Sequence, residues 1–402
     1  MSPTVLRLAL ALFAIQAGFH GYTASLPLAL SRVGTPDPTI GLIMGTAAIV
    51  QIPASLVGGR LVDRFGGTRM LTVGAIAYLA ATAVLLVPTV DPGGSPLPYV
   101  IARILQGAGI GLTLPSALSI VPRMVPAERQ ALGIAFIGSA HNLTLVVLPT
   151  LSLMALDAAS LHGVGLLVTG FVAAGLLLSR RLPMRAVVRS VEDDARAAAG
   201  RRFGITFRRS WTVPLLIIVT YVAHWGVVTA YLPTRAEAAG ADIGLFFAAD
   251  GLAIFAMRVP TGWLAGRTSA RALIVGGALM TMVSVALLLV TPDTGLLVLA
   301  GFLGGTGGAF VMTPILVEMS RRSSDLDRGS AFALFSGCLA AALSIGSVGA
   351  SPLIAVAGFE AALVVGLAGI AVAVALALSD PALRVRGGKP AATDARSRPA
   401  RA

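Results

Sequence analysis

The sequence predicts an all-α integral membrane protein. Three observations support this fold class: an apolar composition, long apolar runs, and the confinement of charge to the short segments between the runs. Of the 402 residues, 56% are hydrophobic and 12% are charged, and the mean hydropathy is +0.87. Soluble domains carry about 25% charged residues. Apolar runs long enough to cross a hydrocarbon core about 30 Å thick recur along the whole chain.

The composition also excludes several classes of function. A net charge of +12 is typical of nucleic-acid binding, but the arginines lie in short loops and tails instead of on one soluble face, so we expect no nucleic-acid partner. The single cysteine, Cys338, excludes an internal disulfide and a cysteine-built metal site. The sequence contains no phosphate-binding G-x-x-x-x-G-K loop, zinc-protease motif or hydrolase elbow. We therefore expect neither a cofactor nor enzyme chemistry.

Apolar runs and their breaks predict twelve transmembrane helices in two groups of six. The predicted spans are 6–30, 39–61, 69–88, 98–121, 130–155, 159–180, 211–235, 242–265, 271–290, 295–317, 329–353 and 357–379. The first run is too long for a signal-peptide core, so we interpret it as span 1. The longest polar interruption divides the chain into a six-helix bundle at 1–180, a connector at 181–210, a second bundle at 211–379 and a basic tail at 380–402.

The arginines predict the orientation. Loops after even-numbered spans contain most of them, and only Arg32 and Arg235 depart clearly from the pattern. Because positive charge favours the cytoplasmic side, we expect both termini and the connector to be cytoplasmic. Abundant Gly, Ala and Arg with a single lysine, Lys389, favour a GC-rich bacterium and hence its inner membrane.

The two groups of six share an internal repeat. The stretch Tyr22–Pro27 aligns with Val228–Pro233, and Ile40–Leu42 recurs as Ile243–Leu245. Continued without a gap from Ile40 and Ile243, the alignment places Asp63 opposite Gly266. Transporters built from repeats hold their substrate near the bilayer midplane between the repeats, so the architecture already argues for transport.

Two motifs resemble those of the major facilitator superfamily. The loop GRLVDRFGGTR (59–69) resembles the family signature between spans 2 and 3, with Gly67 where a basic residue is usual. In span 4, RILQGAGIG (103–111) resembles the family motif R-x-x-Q-G-x-G-x-A. The resemblance implies the twelve-helix fold of that family, alternating access of one half against the other, no cofactor and a monomer.

The signature loop and its second copy predict a conformational latch. Asp63 is suited to the N-terminus of a neighbouring helix, and the resemblance implies that this helix is span 11, after Arg328. Gly58 and Gly59 permit close helix approach. The alternative is a solvated loop whose arginines only follow the positive-inside rule. The residues assigned to gating are Gly59, Asp63, Arg64, Arg69, Gly262 and Arg267.

Charged residues inside spans are expensive and therefore candidates for function. The resemblance links Arg103 to proton coupling; the alternative is a structural arginine bonded to carbonyls of span 1. Asp250 is the one acid well inside a span and can bind and release a proton, unless it forms a permanent salt bridge with an arginine. Arg258, near the end of the same span, is explained by snorkelling toward the membrane surface.

Two histidines, His20 and His224, lie near the middle of the equivalent spans 1 and 7. The resemblance implies that these helices line the cavity, where a histidine can shuttle protons; the alternative is ordinary packing. The residues assigned to the substrate cavity are Gln16, Tyr22, Gln106, His141, Asn142, Tyr221 and Trp225. Their aromatic faces and few charges suit an organic molecule with an apolar body.

These patterns predict a secondary transporter in the lipid bilayer that exports a small amphipathic drug or metabolite, with protons as the coupling ion. Span 5 keeps Gly138 and Pro149 of a glycine-rich motif of proton-driven exporters but lacks its closing glycines. An uptake symporter for a sugar, organic acid or metabolite therefore stays an alternative, as does a transport-inactive membrane sensor.

Overall fold

The computed structural model describes residues 3–86, 95–121, 124, 130–180, 182, 207–265, 267–290, 293–323 and 328–384. Long helices account for most of these residues. They are α1 (Pro3–His20), α2 (Ser25–Arg32), α3 (Asp37–Phe65), α4 (Gly67–Leu86), α5 (Leu97–Ile120), α6 (Gln130–Arg180), α7 (Thr212–Ala238), α8 (Ile243–Ala265), α9 (Ala270–Leu287), α10 (Thr294–Arg321), α11 (Arg328–Ser344) and α12 (Ser351–Ser379).

The helices form a multi-pass membrane protein. Within the described residues, ten helical segments are long and apolar enough to cross a bilayer. One of them, Phe136–Arg180, is broken by non-helical backbone at Ala159 and Ser160 and so comprises the predicted spans 5 and 6. Helix α8 has 23 residues, or about 35 Å at 1.5 Å per residue, which also suffices to cross. The twelve predicted spans are thereby accounted for.

The elements begin and end where local chemistry favours it. The side chain of Asp293 accepts from the Gly295 N–H (2.8 Å) and caps α10, and Ser269 caps α9 through the Ala272 N–H (3.2 Å). Helix α3 ends at Phe65 and is followed by Gly66, whose φ of 90° is a backbone conformation that glycine adopts readily and other residues rarely do. Inside α12, Gly358 with φ of 82° separates spans 11 and 12. Span 1 consists of α1 and α2, separated by four turn residues after His20.

The spans pack into two halves, α1–α6 and α7–α12. Within the first half, α1 packs on α6 and α5 packs on both α3 and α4; in the second, α10 packs on α8 and α9. The halves meet where α3 lies against α11 and where α6 lies against α8. With twelve spans, Pro3 and Ser379 lie at the same end of the bundle, which we call the terminal face; the other end is the opposite face.

The two halves are joined closely at the opposite face. Arg32 contacts Glu237 of the second half (2.6 Å) and Asp157 of its own half (2.8 Å), and Arg235 contacts Asp37 (3.5 Å). In addition, the Ser351 hydroxyl donates to the Pro38 carbonyl (2.9 Å). Three of these contacts, Arg32–Glu237, Arg235–Asp37 and Ser351–Pro38, join the two halves at the opposite face.

Candidate transport site

A polar cluster lies in the middle of the first half, with Gln16 of α1 at its centre. The Gln16 Oε1 atom accepts from the Tyr78 hydroxyl (3.0 Å) and the Thr113 hydroxyl (3.0 Å). Its Nε2 atom lies 2.7 Å from His141 Nδ1. Since Gln16 is fully buried, one amide ties together α1, α4, α5 and α6. We call the seven residues of this region the N-terminal polar cluster: Gln16, His20, Tyr78, Arg103, Gln106, Thr113 and His141.

Arg103 occupies the same cluster and is held by neutral groups. Its guanidinium donates to Gln106 Oε1 (2.7 Å) and to the Met44 carbonyl (2.9 Å), and it lies over the Phe19 ring at 5.1 Å. The alternative role of Arg103 was a structural arginine bonded to carbonyls of span 1. The carbonyl that Arg103 binds belongs to Met44 of α3, which is span 2. Arg103 is 3% exposed, and the hydrogen bonds fix its position inside the membrane.

His20 and His141 connect the cluster to the second half. Their rings lie edge to face with centroids 5.3 Å apart. The charge of Arg103 also acts on His20, and that of Arg258 acts on His141. Arg258 of α8 belongs to the other half, and its guanidinium nitrogens lie 3.5 and 3.6 Å from the point that a Cβ on Gly138 would occupy. Snorkelling toward the surface therefore does not describe Arg258, which turns to the interface between the halves.

In the second half, aromatic side chains of α7 and α8 surround a small pocket. The Trp225 ring stacks on Phe246 (6.2 Å between centroids), and Phe247 meets both rings at steep angles. The pocket is lined by His224, Trp225, Val228, Phe246, Ser284, Val285, Leu288 and Gly304, and we call it the aromatic pocket. The other polar contacts here are Tyr221 hydroxyl to Thr281 hydroxyl (2.7 Å) and His224 Nδ1 to the Tyr221 carbonyl (2.5 Å).

Asp250 lies directly behind this pocket. It is 5% exposed, and its Oδ1 is 3.6 Å from the point that a Cβ on Gly304 would occupy; Gly304 lines the pocket. Asp250 is also close enough to Tyr221 for the two groups to interact electrostatically. Among the described residues its carboxyl group has no ion-pair or hydrogen-bond partner. No arginine among the described residues forms the permanent salt bridge that is the alternative role of Asp250.

The residues predicted to gate lie at the terminal face and are mostly exposed. Arg64 lies over the Phe65 ring (5.2 Å) and Arg267 over the Trp263 ring (3.9 Å), while Arg69 is exposed. A Cβ on Gly59 or Gly262 would meet no atom within 4 Å, so the expected close approach is wrong for Gly59. It is confirmed for Gly58, which packs on the Gly111 carbonyl of α5. The side chains of Asp63 and Arg328 lie outside the described part, and the latch stays a prediction.

The structure brings most of the predicted cavity residues together, but in two groups. Gln16, His141 and Gln106 join His20 and Arg103 in the first half, and Tyr221 and Trp225 join His224 and Asp250 in the second. Tyr22 is fully buried, and among the described residues its hydroxyl has no partner. The side chain of Asn142 lies outside the described part. Sequence reasoning missed Tyr78 and Thr113, whose only signal was a polar group in an apolar run.

Comparison with known proteins identifies the family. The family model of the Major Facilitator Superfamily matches residues 8–242 and 236–401. The chain is 32% identical over 127 residues to a probable actinorhodin transporter of Streptomyces coelicolor, which is 32% of this chain and 20% of that protein. It is also 32% identical over 133 residues to the efflux pump terG of Aspergillus terreus, which is 31% of this chain and 23% of the relative. The chain thus matches about a fifth to a quarter of the length of these relatives.

A solved structure shares the fold over nearly the whole chain. The crystal structure of a POT family transporter in complex with 5-aminolevulinic acid superposes with a TM-score of 0.73 at 16% identity, covering 93% of this chain and 94% of that chain. The chain belongs to the Major Facilitator Superfamily.

Proposed function

We propose that the protein is a proton-coupled transporter that exports a small amphipathic organic compound by alternating access. The observation that carries this proposal is the buried carboxyl group of Asp250, which no described residue pairs and which lies directly behind the aromatic pocket. An ionisable group inside the membrane is costly and is retained where it serves an ion or substrate pathway.

Asp250 suits the role of proton carrier. A carboxyl group without a cation partner can be neutral in a closed, dry state and ionised when water reaches it, so it can bind a proton on one side and release it on the other. Its position against Gly304 couples this change to the pocket, because both the carboxyl oxygen and the bound substrate would lie against the same stretch of α10.

The lining of the pocket suits an aromatic or aliphatic body with few polar groups, and the pocket must widen to admit one, because in this conformation it has room for about one water molecule. Trp225 and Phe246 provide flat apolar surface, and His224 and Ser284 provide hydrogen-bonding groups at its border. Ligand sites of this composition bind the apolar body by area and orient it with a few polar contacts. Two of the relatives, a probable actinorhodin transporter and an efflux pump, support an organic compound and export.

The membrane orientation follows from the arginines. The terminal face carries most of them and is assigned to the cytoplasm of a bacterial inner membrane, with the protein a monomer. The pairs Arg32–Glu237 and Arg235–Asp37 join the halves at the opposite face, which supports the proposal that the described conformation opens toward the cytoplasm. Asp63 is proposed to latch the terminal face in the other conformation, and Asp63→Asn is expected to slow turnover without preventing membrane insertion.

Proteoliposomes with an imposed pH gradient test the proposal. A pH-reporting dye is enclosed, a panel of amphipathic compounds and sugars is added one at a time, and wild type is compared with Asp250→Asn. We expect at least one amphipathic compound to collapse the gradient with wild type and not with Asp250→Asn. The direction of proton movement relative to the compound separates export by exchange from uptake by symport.

The matched control is Glu360→Gln, which neutralises an exposed acid at the opposite face and should behave as wild type. Tracer flux of a compound without proton movement would contradict proton coupling. Proton movement that survives in Asp250→Asn would contradict the assignment of Asp250, whereas the absence of any flux would favour a membrane sensor.

A further inference from the structure

The N-terminal polar cluster contains more buried hydrogen-bond donors than the protein satisfies. Among the described residues, Arg103 Nε, Gln106 Nε2 and both ring nitrogens of His20 have no partner. These three side chains are 3%, 0% and 5% exposed, respectively. A neutral imidazole has one N–H, so these three neighbouring side chains leave three buried donors unpaired; buried donors are nearly always paired, and their number indicates a missing acceptor.

The charge of Arg103 is not balanced by its described neighbours. Among the described residues, Arg103 binds neutral groups, which are the oxygens of Gln106 and Met44 and the face of Phe19. His20 is close enough to Arg103 and His141 to interact electrostatically with both, and His141 is close enough to Arg258 to do the same. We call Arg103, His20 and His141 the arginine–histidine row. It extends from α5 through α1 to α6, where Arg258 of the other half approaches it.

No acid among the described residues balances Arg103. The ion pairs of the described acids lie at the two faces, at Asp37, Asp157, Glu237, Glu318 and Asp380. Asp250, the acid inside a described span, lies in the other half beside Gly304 and Tyr221. A buried guanidinium without a counter-charge is unfavourable, and an anion that enters the cluster relieves that cost.

We propose that Arg103, with the neighbouring donors of Gln106 and the arginine–histidine row, binds the anionic group of the transported compound, and that this group is the carboxylate of an organic acid. A carboxylate accepts from guanidinium, amide and imidazole N–H groups in strong, charge-assisted hydrogen bonds, and these are the donors that the cluster leaves free. The inference rests on the proposed function, in which the aromatic pocket binds the apolar body of the substrate. It adds a substrate class that the pocket alone does not define.

Equilibrium binding to the purified full-length protein in lipid nanodiscs tests this inference without any pH gradient. The probes are 1-naphthoate, its neutral isostere 1-naphthamide and the cation 1-naphthylmethylammonium, which share one apolar body and differ in charge. With wild type, we expect naphthoate to bind about tenfold more tightly than naphthamide, because a hydrogen bond to a charged group contributes about that factor. The cation should bind most weakly.

Variants test which residues cause the preference for naphthoate over naphthamide. Arg103→Gln should reduce the ratio of naphthoate to naphthamide affinity to about one, while Arg103→Lys retains part of it, because lysine keeps the charge without the planar fork. His20→Gln should reduce the ratio by a smaller factor. Arg384→Gln removes an exposed arginine at the terminal face and is the matched control. Thermal unfolding establishes that each variant is folded, and the wild-type ratio tests the inference even where a variant does not fold.

Three results would overturn the inference. The first is naphthamide or the cation binding to wild type as tightly as naphthoate, and the second is an unchanged ratio in folded Arg103→Gln. The third is displacement of naphthoate by chloride or phosphate as readily as by benzoate, which would indicate an inorganic anion site. Proton flux with an amine but no preference for naphthoate contradicts this inference alone. Preference for naphthoate without proton flux contradicts only the proton coupling.

Discussion

At the scale of single residues, Gln16 does the most to organise the first half. One buried amide accepts from Tyr78 and Thr113 and contacts His141, so three other helices depend on its position. In a bilayer core, no water competes for these groups once the helices are packed, and a donor that loses its acceptor finds no replacement.

Gln16→Leu is therefore expected to lower stability in detergent by about 2 to 4 kcal/mol, since it leaves the two hydroxyls unpaired at about 1 to 2 kcal/mol each. Thermal or denaturant unfolding of the purified protein measures the loss. The double variant Gln16→Leu, Tyr78→Phe removes one of the stranded hydroxyls and should recover part of it. A double variant less stable than Gln16→Leu would show that the hydrogen bonds are not the cause.

For single residues, the sequence identifies candidate side chains but does not predict the direction in which they point. Residue type identifies Gln16, His141 and Arg103 as candidates, because polar groups are rare in apolar runs. It does not show how each helix is rotated, and in a protein that is apolar on all sides the hydrophobic pattern gives little help. Arg258 was misjudged for this reason: its distance from the helix end suggests the membrane surface, whereas α8 turns it toward Gly138.

At the scale of elements, small residues determine how closely the helices cross. Helix α7 meets the segment after α11 at Gly226 and Gly346, where backbone lies against backbone. A Cβ on Gly226 would lie 2.9 Å from the Gly346 Cα and still closer to the Leu343 carbonyl. Such crossings, rather than hydrophobic burial, hold helices together in lipid.

Gly226→Ala is expected to destabilise the protein by about 1 to 3 kcal/mol, because the backbone atoms that it meets cannot move aside as a side chain can. The control is Gly337→Ala in α11, where the new Cβ meets no atom within 4 Å and the higher helix propensity of alanine should be neutral or slightly stabilising. The melting temperatures of the two variants compare the effects. Equal melting temperatures would contradict the close-packing argument.

Most elements were predictable because apolar length and turn residues are local properties. The break at Gly358 falls next to the predicted start of span 12 at 357, and the break at Ala159 and Ser160 falls at the predicted start of span 6. The division of span 1 after His20 was not predicted. Its turn residues, Gly21–Ala24, are neither charged nor proline, so nothing in their composition separates them from the helices on either side.

At the scale of the whole molecule, ion pairs join the two halves at the opposite face. In the sequence, their arginines are recognisable only as exceptions to the positive-inside pattern. Arg32 and Arg235 break the positive-inside pattern because they pair with Glu237 and Asp37 across the interface. Their partners are far away in sequence, so this role could be recognised only once the halves were placed together.

Glu237→Gln is expected to favour opening of the opposite face. The measurement is the rate at which a membrane-impermeant maleimide labels Ser351→Cys in a Cys338→Ser background, since Ser351 is buried against Pro38 at this face. An exposed ion pair contributes about 0 to 1 kcal/mol, so labelling should accelerate by up to about fivefold.

Asp157→Asn is the matched control, because Asp157 binds the same guanidinium but belongs to the same half as Arg32. It should accelerate labelling less than Glu237→Gln does. Equal acceleration by both variants would mean that orientation of Arg32, and not the bond between the halves, determines closure.

The solvent exposure of these pairs has a consequence for the environment in which the protein works. The side chains of Arg32 and Glu237 are each 37% exposed, so mobile ions reach them, and charges in water are screened over about 8 Å at physiological ionic strength. The equilibrium between the two conformations should then respond to the salt content of the compartment at the opposite face. Dilute surroundings would favour the closed opposite face, and saline surroundings would release it.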